Sequence, residues 1–166
     1  MLAQEYAEKT NIYFTKSYDR ENIVRDIKEE CCKVALNSYA PSDLKPCVMN
    51  YELPSKQILI IDENVQTSAT DLLFRGHNGD EGVQDLLAQL INQCPKDHKK
   101  ELTSNIVLSG GTTNLPNFDT RLLQELKNLV PSTSCVISDM NPDDQNVKRQ
   151  IKNWHGACVQ SQLTAF

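Results

Sequence analysis

The sequence predicts an α/β protein, because helical and extended apolar patterns alternate along its 166 residues. One observation is a stripe at helical spacing near the start, formed by Ile23, Ile27, Cys31 and Val34. A second is a pair of short apolar runs, at 58–61 and 106–108, that are typical of strands. A chain of this length is enough for one domain or two small ones, and for a real core.

The first part of the chain predicts helices around a hairpin. Ser17 is a candidate N-cap for a helix that runs to about Leu36. A hairpin is expected near 51–61, where an extended piece, a turn at 55–56 and the second strand follow one another. The remaining predictions for this part are a helix to about residue 9, an extended piece at 12–14, a loop at 38–50, a short helix at 69–74 and a loop at 75–80.

The second part predicts two more amphipathic helices and two strands. The first helix is predicted by an apolar stripe at helical spacing and ends at Pro95; the stripe is formed by Val83, Leu86, Leu87, Leu90 and Ile91. The charged run at 96–100 is predicted to be a solvated loop. The second helix has Asn117 as its candidate N-cap and is closed by Pro131, with a stripe of Phe118, Leu122, Leu126 and Leu129. Strands at 106–108 and 135–137 and a last helix through Val147, Ile151, Trp154 and Cys158 complete the pattern.

The composition excludes several classes of function. A net charge of −5 argues against direct nucleic-acid binding, which needs a basic face. No apolar stretch approaches the roughly 20 residues that span a bilayer, and the first residues do not resemble a signal peptide. The six cysteines form no C-x-x-C pair, and the histidines show no metal-ligand spacing with them. Buried, reduced thiols are therefore expected.

The most informative segment is 105–113, which reads NIVLSGGTT. A buried strand ends in two adjacent glycines, and glycine lets a backbone approach a ligand closely because it has no Cβ. The two threonines add hydroxyl and amide groups that could face an anion. The segment therefore predicts a phosphate or nucleotide loop, with a tight strand-to-helix turn as the alternative.

Several motifs, in the same order, resemble the actin family. Residues 21–32 resemble the actin helix E-I-V-R-D-I-K-E-K-L-C, and 51–57 resemble Y-E-L-P-D-G-Q. Residues 105–113 resemble N-T-V-L-S-G-G-T-T almost letter for letter, and 129–133 resemble L-A-P-S-T. Trp154, Gly156 and the final LTAF resemble W-I-G-G and L-S-T-F. The departures, such as NLPN for M-Y-P-G after Thr113, indicate an actin-related protein rather than a conventional actin.

The resemblance implies a set of nucleotide contacts and no catalytic or metal-binding residue in this chain. Lys28 and Glu29 match a pair beside the adenine and ribose, although both also fit an ordinary exposed helix face. Gly110, Gly111 and Thr112 match the phosphate side of the site. Asn114 and Leu115 stand where the family has Met-Tyr beside the adenine. An adenine-side lysine of the family cannot be placed, and its candidates are Lys148, Arg149 and Lys152.

The resemblance covers only the later part of an actin. It implies part of the actin-like ATPase (ribonuclease-H-like) fold, with an insertion-type helical subdomain at 1–80 and a partial α/β subdomain with the SGGTT loop at 81–166. The implied cofactor is ATP or ADP with Mg²⁺ or Ca²⁺ in a longer parent protein. Because phosphoryl transfer needs metal, phosphate and water held together, we expect this chain alone to be inactive as an ATPase. Whether the parent is a weak ATPase stays open.

The resemblance also implies partners and a location. The expected partners are the missing half of an actin-type chain, actin or other actin-related subunits, and proteins of their complexes. A cytoplasmic, cytoskeletal location is expected, and a nuclear one stays open. The alternative function is an interaction module that keeps the actin fold without binding nucleotide. A different sugar-kinase or chaperone relative is disfavoured, because the helix and Y-E-L-P motifs are signatures of actin.

Overall fold

The computed structural model describes residues 17–36, 48–76, 79–131, 134–138 and 149–163. These contain helices, one two-stranded sheet and a short 3-10 helix. In chain order the elements are α1 (Ser17–Cys31), β1 (Met49–Glu52), β2 (Ile58–Ile61), α2 (Glu63–Arg75), α3 (Val83–Gln93), α4 (Lys96–Thr103), the 3-10 helix Gly111–Asn114, α5 (Phe118–Leu129) and α6 (Lys152–Gln162). In these ranges no helix combines the length and the apolar character that a membrane span needs. The predictions for 1–16 and most of 38–50 lie outside the described residues.

The predicted hairpin is confirmed and is covered by α1. Strands β1 and β2 pair antiparallel, with Met49 opposite Ile61 and Glu52 opposite Ile58. Burial alternates along β2, so that its apolar run has one exposed face, with Ile60 65% exposed. The opposite face packs under α1 in a first core cluster of Ile27, Cys31, Leu53, Leu59, Ile61 and Val65.

Helix α2 extends beyond the predicted 69–74. The prediction was too short because the buried face of α2 is partly polar. It begins after Asp62, whose carboxylate accepts a hydrogen bond of 2.9 Å from the Val65 amide in an N-cap. Its buried residues include Gln66 and Thr70, which break the apolar period that a sequence reading follows. Gln66 Nε2 donates to the Ile61 carbonyl at 3.1 Å, so its burial is supported by a hydrogen bond to the hairpin.

A second core cluster joins α5 to its neighbours. Its members are Cys32, Val34, Phe74, Ala88, Ile91, Leu115, Phe118, Leu122, Leu126 and Val130. Three of them, Cys32, Val34 and Phe74, precede residue 80, so the first part of the chain contributes to the core of the second. The division of the chain into subdomains at residue 80 stays a prediction.

Helix α1 ends at Cys31, five residues before the predicted Leu36, and the chain continues as an extended segment. This segment, residues 32–36, lies between α2 and α5. On one side the Lys33 amide donates to the Gln66 carbonyl at 3.1 Å. On the other the Val34 amide donates to the Pro116 carbonyl at 2.9 Å. The buried Arg121 reaches the same segment and donates to the Ala35 carbonyl.

The stretch after Pro95 is a helix rather than the predicted loop. Helix α4 begins at Lys96, directly after the proline, whose fixed φ suits a helix start. Lys99 Nζ donates to the Asn92 carbonyl at 3.1 Å, near the end of α3. Because a lysine there complements the helix dipole of α3, the charged run has a local structural role.

The predicted strands at 106–108 and 135–137 meet in one parallel bridge between Ile106 and Ile137. The Ile106 amide donates to Val136 at 3.0 Å, and the Ser138 amide donates to Ile106 at 2.8 Å. Parallel strands are normally found in larger sheets that are covered on both faces. The bridge nevertheless fixes where the chain enters the glycine loop.

Two of the helices predicted from apolar stripes are present, but their stripes are largely exposed. Helix α3 buries Gln84, Ala88 and Ile91, while Leu86 and Leu90 are exposed. The reason is that Gln84 Nε2 donates to the Phe74 carbonyl at 2.6 Å, which turns this face of α3 inward. Helix α6 has no buried residue between its bounds, and Trp154, one residue of the stripe that predicted it, is 67% exposed. Val147, in the same predicted stripe, lies outside the described residues.

Candidate functional site

The glycine loop owes its shape to two glycines in different conformations. Gly110 has φ +90°, a left-handed conformation that side chains rarely adopt. Its amide donates to the Arg149 carbonyl at 2.9 Å. Gly111 opens the 3-10 helix, is exposed, and has no positive φ. A Cβ on Gly111 would meet only Gln150 Cβ at 4.0 Å, which is an ordinary van der Waals contact. The described fold therefore requires glycine at 110 but leaves room for a side chain at 111.

The threonines after the glycines close the loop. Thr113 Oγ1 donates to the Gly110 carbonyl at 2.9 Å, and the Leu115 amide donates to Thr112 at 3.2 Å. Thr113 therefore has a structural role at the base of the loop. Thr112 is half-buried and belongs to the first turn of the 3-10 helix.

Asn114 and Leu115 point in different directions. Asn114 is exposed, whereas Leu115 is 8% exposed and belongs to the second core cluster. Both line an open cavity of about 300 Å³ together with Thr113, Asn117, Phe118, Asp119, Thr120 and Arg149. The position of Leu115 lets it act as a floor of this cavity, while Asn114 can offer an amide.

Arg149 holds the loop against the start of α5. Its guanidinium makes a bidentate ion pair with Asp119, with nitrogen–oxygen distances of 2.7 and 2.6 Å, and it donates to the Thr113 carbonyl at 2.6 Å. Two parallel N–H···O bonds fix geometry as well as charge. With its own carbonyl bonded to Gly110, Arg149 ties both ends of the loop.

The candidates for the adenine-side lysine thus differ in what the structure shows. Arg149 is engaged with Asp119 and Thr113, and Lys152 is half-buried in the first turn of α6. Lys148 lies outside the described residues. Sequence reasoning missed Asp119 altogether, because its partner is 30 residues away and no local pattern links them.

Asn117 occupies the N-cap position of α5, as predicted, but its side chain does not cap the helix. It adopts a left-handed conformation with φ 68°, and no side-chain cap hydrogen bond is formed. Its Nδ2 instead donates to the Val34 carbonyl at 3.2 Å. The side chain of Asn117 therefore connects the end of the loop to segment 32–36, while its carbonyl accepts from the Arg121 amide of α5.

Lys28 and Glu29 lie on the last turns of α1, and both are exposed. The chain passes from this helix end into Cys32 and Val34, which pack in the same core cluster as Leu115 and Phe118. The hydrogen bond from Val34 to Pro116 then joins this exit to the residues that follow the glycine loop. The end of α1 and the loop are thus joined through one set of core contacts.

The two adjacent cysteines, one at the end of α1 and one directly after it, are structural, in line with the buried, reduced thiols that the sequence predicts. Cys31 and Cys32 are buried, free thiols. Burial raises the pKa of Cys32, and the neighbouring Cys31 raises it further, although Lys28 acts in the opposite direction. Burial and the charge of Glu30 raise the pKa of Cys31. Protonated, buried thiols are poor nucleophiles, so these residues do not form a reactive site.

The arrangement defines a class of protein: an α/β domain with a glycine loop closing against helix ends. A family model described as Actin matches residues 2–166. The chain therefore belongs to the actin family, and its fold is the actin-like ATPase fold. The predicted family resemblance and the predicted fold class are both confirmed.

Proposed function

We propose that this chain forms one side of an actin-type ATP-binding cleft. In this proposal the loop 110–112 faces the phosphates, Asn114 and Leu115 lie beside the adenine, and Lys28 and Glu29 approach the base and ribose. ATP or ADP enters with Mg²⁺ or Ca²⁺, which the phosphates carry because both cations prefer oxygen ligands. The opposite side of the cleft would come from another segment of an actin-type chain.

The observation that carries the proposal is the glycine at 111. The conformation of Gly110 explains why glycine stands there, but neither backbone nor packing explains Gly111. A glycine that the fold does not need, on the exposed side of a tight loop, is expected where a ligand approaches the main chain closely. Family membership points to the nucleotide as that ligand.

A second support is that contacts within the chain hold the loop in one shape. The ion pair of Arg149 with Asp119 and the bond from Thr113 to Gly110 leave the loop little freedom. Less conformational entropy is then lost when a ligand binds to it. A preorganised loop of this kind suits a binding surface.

One side of a cleft supports binding and not turnover. Phosphoryl transfer needs a metal ion and an oriented water at the γ-phosphate. In this proposal the residues that hold both belong to the opposite side of the cleft. We therefore expect negligible ATP hydrolysis by this chain alone. A steady hydrolysis rate clearly above that of a Gly111→Val variant would contradict this expectation.

The direct test is a titration of the ¹⁵N-labelled chain with ATP and Mg²⁺, observed by NMR. We expect saturable shifts at the amides of 110–115 and 28–29, with a dissociation constant on the order of 1 mM, because only half the contacts are present. Gly111→Val and Lys28→Ala should each weaken binding, while Lys56→Ala, on the exposed hairpin turn, should not.

The outcome also decides between the two functions. Binding that is lost in both loop and helix variants supports the nucleotide cleft. Wild-type chain that shows no saturable shift at these amides, even at about 20 mM ATP, contradicts it. That result would favour the alternative, an actin-fold interaction module without nucleotide.

We further propose that the protein works beside actin or other actin-related subunits, in the cytoskeleton or in nuclear complexes. Membership of the actin family supports this placement in general terms. Co-sedimentation of the chain with filamentous actin is the first measurement. A chain that stays in the supernatant at every actin concentration would exclude direct filament binding.

A further inference from the structure

Helix α3 presents an apolar face to solvent. Val83, Leu86 and Leu90 are 37%, 50% and 60% exposed, and their spacing of three and four residues places them on one side of the helix. The other side is the one that α3 buries against the core, through Ala88 and Ile91. We call the exposed set, Val83, Leu86 and Leu90, the α3 face. Contiguous exposed apolar side chains of this kind mark interaction surfaces.

The two ends of the α3 face carry opposite charges. Asp80, Glu81 and Asp85 surround the start of α3. Beyond its end, α4 begins with a basic run, residues 96–100, in which Lys96, Lys99 and Lys100 outweigh the single acidic Asp97. The bond from Lys99 to the Asn92 carbonyl holds this basic run beside the end of α3. The apolar stripe is therefore flanked by a negative end and a positive end.

We propose that the α3 face binds the α3 face of a second copy of this chain, with the two helices antiparallel about a two-fold axis. In this arrangement the acidic start of each helix meets the basic run beyond the end of the other. A parallel arrangement would place like charges together. A partner of uniform charge would complement only one end, whereas a second copy complements both and supplies the matching apolar stripe. A two-fold contact uses the same patch twice and closes.

The size of the surface sets the expected strength. Helix α3 has 11 residues and is therefore about 16 Å long. A contact of one such helix pair buries less than about 1,000 Å², which is typical of weak association. We expect a dissociation constant on the order of 10–100 µM. None of the residues proposed to bind nucleotide belongs to the α3 face, so this inference does not depend on the proposed function.

The first experiment is sedimentation equilibrium of the 166-residue chain. The apparent mass should rise from 18.8 kDa towards twice that value as the concentration increases from about 1 to 500 µM. Leu86→Gln and Leu90→Gln should each raise the dissociation constant at least about tenfold, because the symmetry removes every contact twice. Both side chains are exposed, so circular dichroism should show an unchanged fold. The matched control is Ile60→Thr, which alters an equally exposed residue on the hairpin.

The second experiment tests the charge pairing between the ends of the two α3 faces. One variant, Lys96→Glu with Lys100→Glu, has two acidic ends. The other, Asp80→Lys with Glu81→Lys, has two basic ends. Lys99 is left unchanged because its bond to the Asn92 carbonyl holds α4 beside α3, and Asp85 because it accepts from Gln84. Glu81→Lys removes only the exposed hydrogen bond from Gln89 Nε2. Each variant alone should be monomeric, and their equimolar mixture should form a heterodimer.

The outcomes are distinct. The proposal is supported if the leucine variants lose the dimer, each charge variant alone is monomeric, and the mixture of the two charge variants forms a dimer. A wild-type chain that stays monomeric at about 500 µM overturns it. So does a dimer that only Ile60→Thr disrupts, or one that both charge variants retain unchanged.

Discussion

The two loop glycines should respond oppositely to alanine. Gly110 has φ +90°, where a Cβ costs about 1–2 kcal/mol, so Gly110→Ala should destabilise the fold by that amount. Gly111 has no left-handed φ, and its Cβ would lie 4.0 Å from Gln150 Cβ. Gly111→Ala should therefore change the free energy of unfolding by less than about 0.5 kcal/mol, or raise it slightly by restricting the unfolded chain.

Thermal unfolding followed by circular dichroism measures the difference. For a chain of this size, about 1 kcal/mol corresponds to a shift in Tm of about 2–4 °C. Gly110→Ala should lower Tm by about 2–8 °C, and Gly111→Ala should leave it within about 2 °C. Gly156→Ala is a control, because Gly156 lies in α6 with open space around it, and alanine should stabilise the helix.

The same two variants separate folding from binding. Gly111→Ala should keep its Tm and weaken the ATP-dependent shifts, because the added Cβ occupies the side that a ligand approaches. If Gly111→Ala proves as destabilising as Gly110→Ala, both glycines serve the fold. The reasoning that assigns Gly111 to a ligand would then be refuted.

Four further predictions concern contacts that hold the site. Arg149→Ala should lower the free energy of unfolding by about 1–2 kcal/mol and speed amide exchange in the loop. Asp119→Asn keeps the hydrogen bond from Arg149 to the Thr113 carbonyl and should cost less. Equal effects of the two variants would contradict the role given to the Arg149–Thr113 bond. Arg121→Ala should lower the free energy of unfolding by about 2–4 kcal/mol in chemical denaturation. The variant removes the hydrogen bond to the Ala35 carbonyl, the ion pair with Glu125 and a contact over the Phe74 ring. Arg121→Lys should recover only part of this loss. Asp62→Ala should cost about 1 kcal/mol through the lost N-cap, while Asp62→Asn should cost much less. The pKa of the Cys32 thiol is raised above 9.0 by burial, so the stability that this thiol contributes is fully present below pH 9.0 and is lost as the pH rises through the folded-state pKa. Above pH 9.0 the free energy of unfolding should therefore fall less steeply in Cys32→Ala than in the wild type. Identical slopes would exclude this linkage.

Local apolar periodicity predicted the elements whose buried faces are apolar. It predicted α5 and the hairpin, since Leu122 and Leu126 or Leu59 and Ile61 repeat at the period of their element. It failed for the start of α2, whose buried Gln66 and Thr70 are supported by hydrogen bonds. Thr70 donates to the Lys33 carbonyl 37 positions away, which no short window of sequence contains. Gln66 donates to Ile61 only five positions away, but a search for apolar spacing does not register a buried amide.

The same limit applies to the site. The SGGTT motif indicated the loop, and the family resemblance indicated its ligand. The residues that position the loop could not be predicted, because Arg149 and Asp119 meet across 30 positions and Asn117 meets Val34 across 83. The apolar spacing predicted α3 but not that Leu86 and Leu90 are exposed, because spacing alone does not say which side of a helix finds a neighbour.

Segment 32–36 has a mechanical consequence for the molecule. Its backbone is bonded to α2 through Gln66 and Thr70, and to the residues around the start of α5 through Pro116 and Asn117. A rotation of α1 with its hairpin against α5 would have to break bonds on both sides of this short strip at once. A force applied at the hairpin is therefore transmitted directly to the base of the glycine loop.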